Sequence, residues 1–306
     1  MELPFVTLDV FTHTRYRGNP LAVVTIPAGT VPPPTQDQKQ TIAREFNLSE
    51  TVFIHDVADP EADTTRRIDI FLTDAEIPFA GHPTIGAAVS LLPQGVTQII
   101  TKAGPIGITR TGPNSAQADI PHNVHLHRAT LADFPLTPNA LQAVDQISQL
   151  ERSAPIFSIV KGMNFSLVEL PSTDLLAQLR PTGAVFSAVD LLDQGWNQGM
   201  IGRYYYVRTG TSEDADGKPI IQIRSRMILA NFEDPATGSA ACCLSSYLSV
   251  EGDKQTTPTR RYEITQGVEM GKESNIVVEV SVKDSGIDTV TLAGPAVQVM
   301  RGHVTV

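Results

Sequence analysis

His82-Pro83-Thr84-Ile85-Gly86-Ala87-Ala88 is matched without a gap by Asp234-Pro235-Ala236-Thr237-Gly238-Ser239-Ala240. In both stretches a polar residue precedes a proline, a glycine follows three positions on, and small residues come next. Such a pattern reads as the start of a buried helix, from about Pro83 to Leu92 in one case and from Pro235 to about Leu248 in the other. Two such starts, one in each half, indicate a duplicated fold. A helix N-terminus collects unpaired N–H groups and partial positive charge, so two of them turned to one cleft would hold an anionic substrate between His82 and Asp234.

Outward from these helices the chain reads mostly as strands. Phe5 to Phe11 alternates in the manner of a strand, and Leu21-Ala22-Val23-Val24 after Arg17-Gly18-Asn19-Pro20 is its hairpin partner. A helix is expected near Gln36 to Phe46, then strands at Thr51 to Ile54 and Arg67 to Leu72. Further strands are expected near residues 98–101, 106–109, 116–120, 156–160, 165–170, 204–208, 220–227, 276–282 and 289–300, with a helix near Thr173 to Leu179. Ile85, Ala87, Ala88, Val89, Leu91 and Leu92 cover more than one helical face, which calls for enclosure. Frequent hairpin signals and few helices favour mixed or antiparallel sheet over parallel βαβ units. The expected class is α+β, with two pseudo-symmetric domains, each a rolled sheet around a central helix. One spans residues 1–118 with a strand at about 294–306 returning to it, the other 119–293.

At 306 residues the chain can bury two cores. Its formal net charge of -10 argues against a nucleic-acid partner, since phosphate binding needs clustered Lys and Arg. Arg66-Arg67 and Arg260-Arg261 read as isolated, solvated pairs. Met1-Glu2-Leu3-Pro4 carries no basic segment ahead of an apolar run, so the cytoplasm is the expected location. The apolar stretch from Ile77 to Thr101 is broken by three prolines and does not suit a bilayer span. Cys242 and Cys243, adjacent on the second motif helix, read as small core residues rather than a disulfide.

Several side chains could carry chemistry. Asp234 before Pro235 is fully explained as a helix cap, a role that does not exclude function. His82 is a poorer cap, and a titratable imidazole beside Gly81 favours a site. On local sequence Glu50 reads as a solvated loop residue and Ser49 as a turn former. Ser239 could offer its hydroxyl and N–H to an anion, or could serve close packing. His122, His125 and His127 raise the question of a metal, but no third carboxylate or thiolate stands nearby and no metal site is expected. Asp214-Ala215-Asp216-Gly217 lacks the spaced ligands of a calcium loop and reads as a hairpin turn. No dinucleotide fingerprint or Walker loop is present.

Taken together, Asp9-Val10-Phe11 with Gly18-Asn19-Pro20, Asn47-Leu48-Ser49-Glu50-Thr51, Phe79-Ala80-Gly81-His82-Pro83-Thr84 and Asp234 to Ala240 resemble the phenazine-biosynthesis PhzF family, of the diaminopimelate epimerase-like fold. The resemblance implies an active-site cleft between two similar domains, a homodimer, and an isomerase that works without metal or organic cofactor. It implies that Glu50 is the acid/base, that His82 and Asp234 assist proton transfer, and that Gly81, Gly238 and Ser239 bind substrate. Related racemases use two cysteines, which have no counterpart beside His82 or Asp234. A Gly-Arg-Pro-Ser motif of the family stands here as Gly271-Lys272-Glu273-Ser274, which could alter anion binding, because lysine lacks the guanidinium fork. The expected activity is a proton shift on a small carboxylated, cyclic metabolite, with no nucleic-acid or membrane partner. The alternative is a non-catalytic member of the fold that binds a small ligand or a protein.

Overall fold

Strand pairing in this chain follows one order twice, and each round encloses one of the two apolar helices. The computed structural model describes residues 1–215, 217–252, 259–284 and 286–306. It divides into two units, Met1–Ile120 with Thr291–Val306, and Pro121–Val290.

The first unit contains β1 (Glu2–Val10), β2 (Asn19–Ile26), α1 (Gln36–Phe46), β3 (Thr51–His55), β4 (Thr65–Phe71), β5 (Glu76–Ile77), α2 (Gly81–Leu91), β6 (Gln98–Thr101), β7 (Gly104–Gly112) and β8 (Ser115–Asp119). β1 and β2 pair antiparallel, β2 and β3 parallel across α1, and β3 and β4 antiparallel. β4 and β6 pair parallel across α2, and β6, β7 and β8 follow antiparallel. The chain's last strand then pairs with β8 through Thr291–Pro295 and with β1 through Ala296–Thr305, so the ring closes. α2 contacts β1, β2, β3 and β8 and is buried over nearly its whole length. Gly86 makes that approach possible, because a Cβ there would lie 2.4 Å from Leu21 Cδ2. α1 starts in a capping box, Thr35 with Gln38, and its Ile42 and Ala43 cover Phe53 and Phe71 on the outer face of the ring.

The second unit contains β9 (His125–Leu126), α3 (Asp145–Ser153), β10 (Ile156–Val160), β11 (Gly162–Glu169), α4 (Thr173–Ala177), α5 (Ala188–Leu191), β12 (Gly199–Glu213), β13 (Pro219–Leu229), β14 (Phe232–Asp234), α6 (Gly238–Val250), β15 (Thr259–Gln266), β16 (Ser274–Lys283) and the start of β17 (Gly286–Thr305). The antiparallel pair β10–β11, the parallel pair β11–β12 and the antiparallel pair β12–β13 repeat β1 to β4. The parallel pair β13–β15 across α6, followed by antiparallel β16, repeats β4, β6 and β7. α6 contacts β10, β11, β15 and β16. Its Cys242 and Cys243 are free, buried thiols whose acidity burial suppresses, and Cys243 Sγ donates to the Phe157 carbonyl. The class is therefore α+β with a mixed, rolled sheet around each helix. Among the described residues no helix is long and apolar enough to cross a membrane.

Three local expectations fail. Neither His82 nor Asp234 caps a helix: the N-cap residues are Ala80 and Thr237. Asp234 is held in β14 by pairing with Met227, so its backbone belongs to the sheet, while Pro83 sits inside the first turn of α2, where a missing N–H costs nothing. The gapless alignment of the two motifs is thereby displaced, and by helix position Gly81-His82 corresponds to Gly238-Ser239. Nor are the arginine pairs simply solvated. In each, strand alternation turns one residue inward: Arg66 and Arg260 are buried, whereas the Arg67 side chain is 60% exposed. Missing that alternation is why β15, which contains Arg260-Arg261, goes unpredicted. The turn after Glu213 does join β12 to β13, with Asp214 N–H donating to the Lys218 carbonyl; Asp216 lies outside the described residues.

Candidate active site

Glu50 lies in the short link between α1 and β3. α1 ends at Asn47, whose left-handed backbone (φ 51°) stops the helix, and Ser49-Glu50 follow just before the sheet begins. His82 is the second residue of α2, and its Nδ1 stands 3.1 Å from Glu50 Oε2. The side chains are 3% and 16% exposed respectively. With Nδ1–H donating to the carboxylate, the other ring nitrogen is the free end of the pair. Nε2 is buried and has no hydrogen-bond partner among the described residues.

The Gly18-Asn19-Pro20 motif reaches the neighbour of Glu50. Ser49 Oγ lies 3.5 Å from Oδ1 of the buried Asn19, which opens β2. Gly18 just before it has φ +64°, and a Cβ there would approach the Val10 carbonyl to 2.3 Å, so only glycine allows the turn. Burial pushes the Glu50 carboxyl up, but the charge of His82 and hydrogen bonds from His82 and Ser49 outweigh it. The net displacement is below the ordinary value of 4.5. Glu50 is therefore ionised at neutral pH. Together with the first-turn amides of Gly81 and His82, which lack acceptors within the helix, the pair can take up and return a proton and face an anionic group.

In the second unit Asp234, 9% exposed, ends β14, and its Oδ2 accepts a hydrogen bond from Thr237 Oγ1 at 2.5 Å. Thr237 is followed by Gly238 and by Ser239, 8% exposed, at the first and second positions of α6. Thr237 was not a candidate on sequence, although it stood within the motif. Lys272-Glu273 belong to the same neighbourhood. Lys272 N–H donates to the Gly267 carbonyl, and a Cβ on Gly267 (φ +77°) would lie 2.6 Å from the Pro235 carbonyl, so this turn packs against the residue after Asp234.

The fold supplies the carboxylate that the sequence around the histidines lacks. Asp193, distant in sequence, completes a group with His125 and His127 whose ligand atoms lie within 4.8 Å of one another. Yet both nitrogens of His127 are engaged: Nδ1 accepts from the Asp193 amide at 3.1 Å, and Nε2 donates to Ser158 Oγ at 2.8 Å. Ser158 in turn donates to Asn164 Oδ1 at 2.5 Å. Asp193 is divided between His125 and Arg128. A metal ion would have to break these bonds, so the group acts as a tie between loops. Burial, then the charge of His125, outweigh the pull of Asp193 and lower the His127 pKa to about 4.

The sequence profile of a family described as phenazine biosynthesis-like protein, PhzC-PhzF, matches residues 8–302. The chain is 30% identical over 308 residues to a trans-2,3-dihydro-3-hydroxyanthranilate isomerase of Pseudomonas fluorescens, covering 98% of each. Among solved structures it is similar to a PhzF family phenazine biosynthesis protein of Bacillus anthracis (TM-score 0.72, 21% identity, 100% of each chain). It is also similar in fold to a probable proline racemase of Agrobacterium radiobacter (TM-score 0.58, 14% identity, 99% of this chain and 93% of that one).

Proposed function

Because the chain belongs to the PhzC-PhzF family of phenazine biosynthesis-like proteins and is an isomerase of that kind, we propose that it shifts a proton between two carbons of a small, carboxylated, cyclic substrate, with Glu50 as the acid/base. The observation that carries this reading is the Glu50–His82 pair with its buried Nε2, unpartnered among the described residues. An ionised carboxylate can accept a carbon-bound proton, and the neighbours that make it a strong acid once protonated favour return of that proton to a second carbon. The shift leaves the substrate's oxidation level unchanged, so the chemistry calls for no electron carrier.

His82 keeps Glu50 charged and turns Nε2 towards the substrate as a hydrogen-bonding or proton-relaying atom. Gly81 lets the helix start approach the substrate closely. In this reading Asp234, Gly238 and Ser239 bind and orient a polar group of a substrate. The protein acts as a homodimer in the cytoplasm, the assembly being checked by sedimentation equilibrium.

Incubation with trans-2,3-dihydro-3-hydroxyanthranilate, the compound named for the Pseudomonas relative, followed by proton NMR tests the activity. Appearance of a double-bond isomer supports the proposal. An unchanged spectrum at high enzyme concentration removes this substrate and shifts the reading to ligand binding without turnover.

A further inference from the structure

Gln266 closes β15 and is wholly buried. All four hydrogen-bonding positions of its amide are used. Nε2 donates to the Asp234 carbonyl at 2.8 Å and to Thr237 Oγ1 at 3.1 Å. Oε1 accepts from the Thr237 N–H at 3.2 Å and from the Tyr204 hydroxyl at 3.2 Å. The Tyr204 hydroxyl also pairs with Ser225 Oγ at 2.8 Å. The directions are mutually consistent: Thr237 Oγ1 accepts from Gln266 and has its one proton left for Asp234 Oδ2.

A threonine at an N-cap ordinarily turns its hydroxyl inward to accept from the second or third amide of its helix. Thr237 makes no such cap bond. Its hydroxyl is committed to Asp234, and its own N–H is held by Gln266. Two consequences follow for the start of α6: one Asp234 oxygen is fixed in direction, and the amides of Gly238 and Ser239 keep no side-chain acceptor from the cap.

Resting on the isomerase reading above, we propose that Gln266 is a positioning residue, which acts through Thr237 to aim the Asp234 carboxylate. A buried amide satisfied at every position fixes one arrangement, because any rotation leaves a buried polar atom unpaired.

The test compares kcat and KM for trans-2,3-dihydro-3-hydroxyanthranilate in wild type, Gln266→Met, Asp234→Asn and the double variant. Misplacing a group by about 1 Å can cost ~100-fold, so Gln266→Met is expected to lower kcat/KM by about 10- to 100-fold. In the Asp234→Asn background the same change should cost less than about threefold, since its route of action is already gone. Equal losses in both backgrounds would overturn the proposal, as would a folded Gln266→Met of unaltered kcat/KM. If Gln266→Met does not fold, Thr237→Val breaks the same link and should cost about tenfold by itself and little beside Asp234→Asn; additive losses would overturn the proposal. A wild type without turnover defeats the isomerase reading and takes the positioning role with it.

Discussion

His82 and Ser239 occupy the same place in the two units, the second residue of a buried helix that begins with glycine. Their surroundings differ: His82 faces the carboxylate of Glu50, whereas Ser239 follows a threonine tied to Asp234. The duplicated scaffold therefore carries a carboxylate–imidazole pair at one helix start and a carboxylate tied to the cap threonine at the other.

Burial raises the pKa of Glu50, and the charge of His82 is the largest of the effects that bring it below its ordinary value. His82→Leu keeps the burial and removes the charge, so the Glu50 carboxyl should titrate above 4.5 instead of below it. Carbon-13 NMR of the glutamate side chains, assigned with Glu50→Gln, reads this directly. An unmoved Glu50 titration would mean that His82 does not set its charge.

His127 supplies a pH dependence of stability. Its pKa is about 4 in the folded chain against an ordinary 6.5. As pH falls the unfolded chain binds the proton first, so this contribution is complete above about pH 6.5 and is lost on the way down to about pH 4. Between pH 7 and pH 4.5 the wild type should lose on the order of 2 kcal/mol more stability than His127→Gln in urea unfolding. Parallel losses would contradict the assignment.

Gly86→Ala sets helix propensity against packing. Alanine is favoured over glycine in a helix interior by about 1 kcal/mol. Its Cβ would stand 2.4 Å from Leu21 Cδ2 and 3.0 Å from Val10 Cγ2, both side chains being fully buried. Packing should win, with a net destabilisation of about 1–3 kcal/mol in denaturant titration. A stabilised variant would show that the ring around α2 gives way.

Much of this was legible in the sequence, and what was hidden was hidden for physical reasons. The central helices announce themselves through Gly86, Ala87, Ala88 and the run after Gly238, since enclosure demands small and apolar residues on every face. Their starts were misplaced because Asp234 before Pro235 satisfies every local rule for a cap, while its pairing with Met227 is a tertiary fact. Arg260 concealed β15 because a buried arginine looks like a surface one until its guanidinium finds the Leu248 carbonyl. Asp193 and Gln266 meet His125 and Thr237 only through the fold. Glu50 had no local signal at all, and only the resemblance pointed to it.

In the proposed mechanism Glu50 moves the proton. Proton NMR in deuterated water with trans-2,3-dihydro-3-hydroxyanthranilate, comparing wild type with folded Glu50→Gln, tests it most directly. Deuterium should enter the product with wild type, and incorporation should fall by at least about 1000-fold in Glu50→Gln, since the amide cannot accept the proton. Equal incorporation by both proteins would contradict this mechanism.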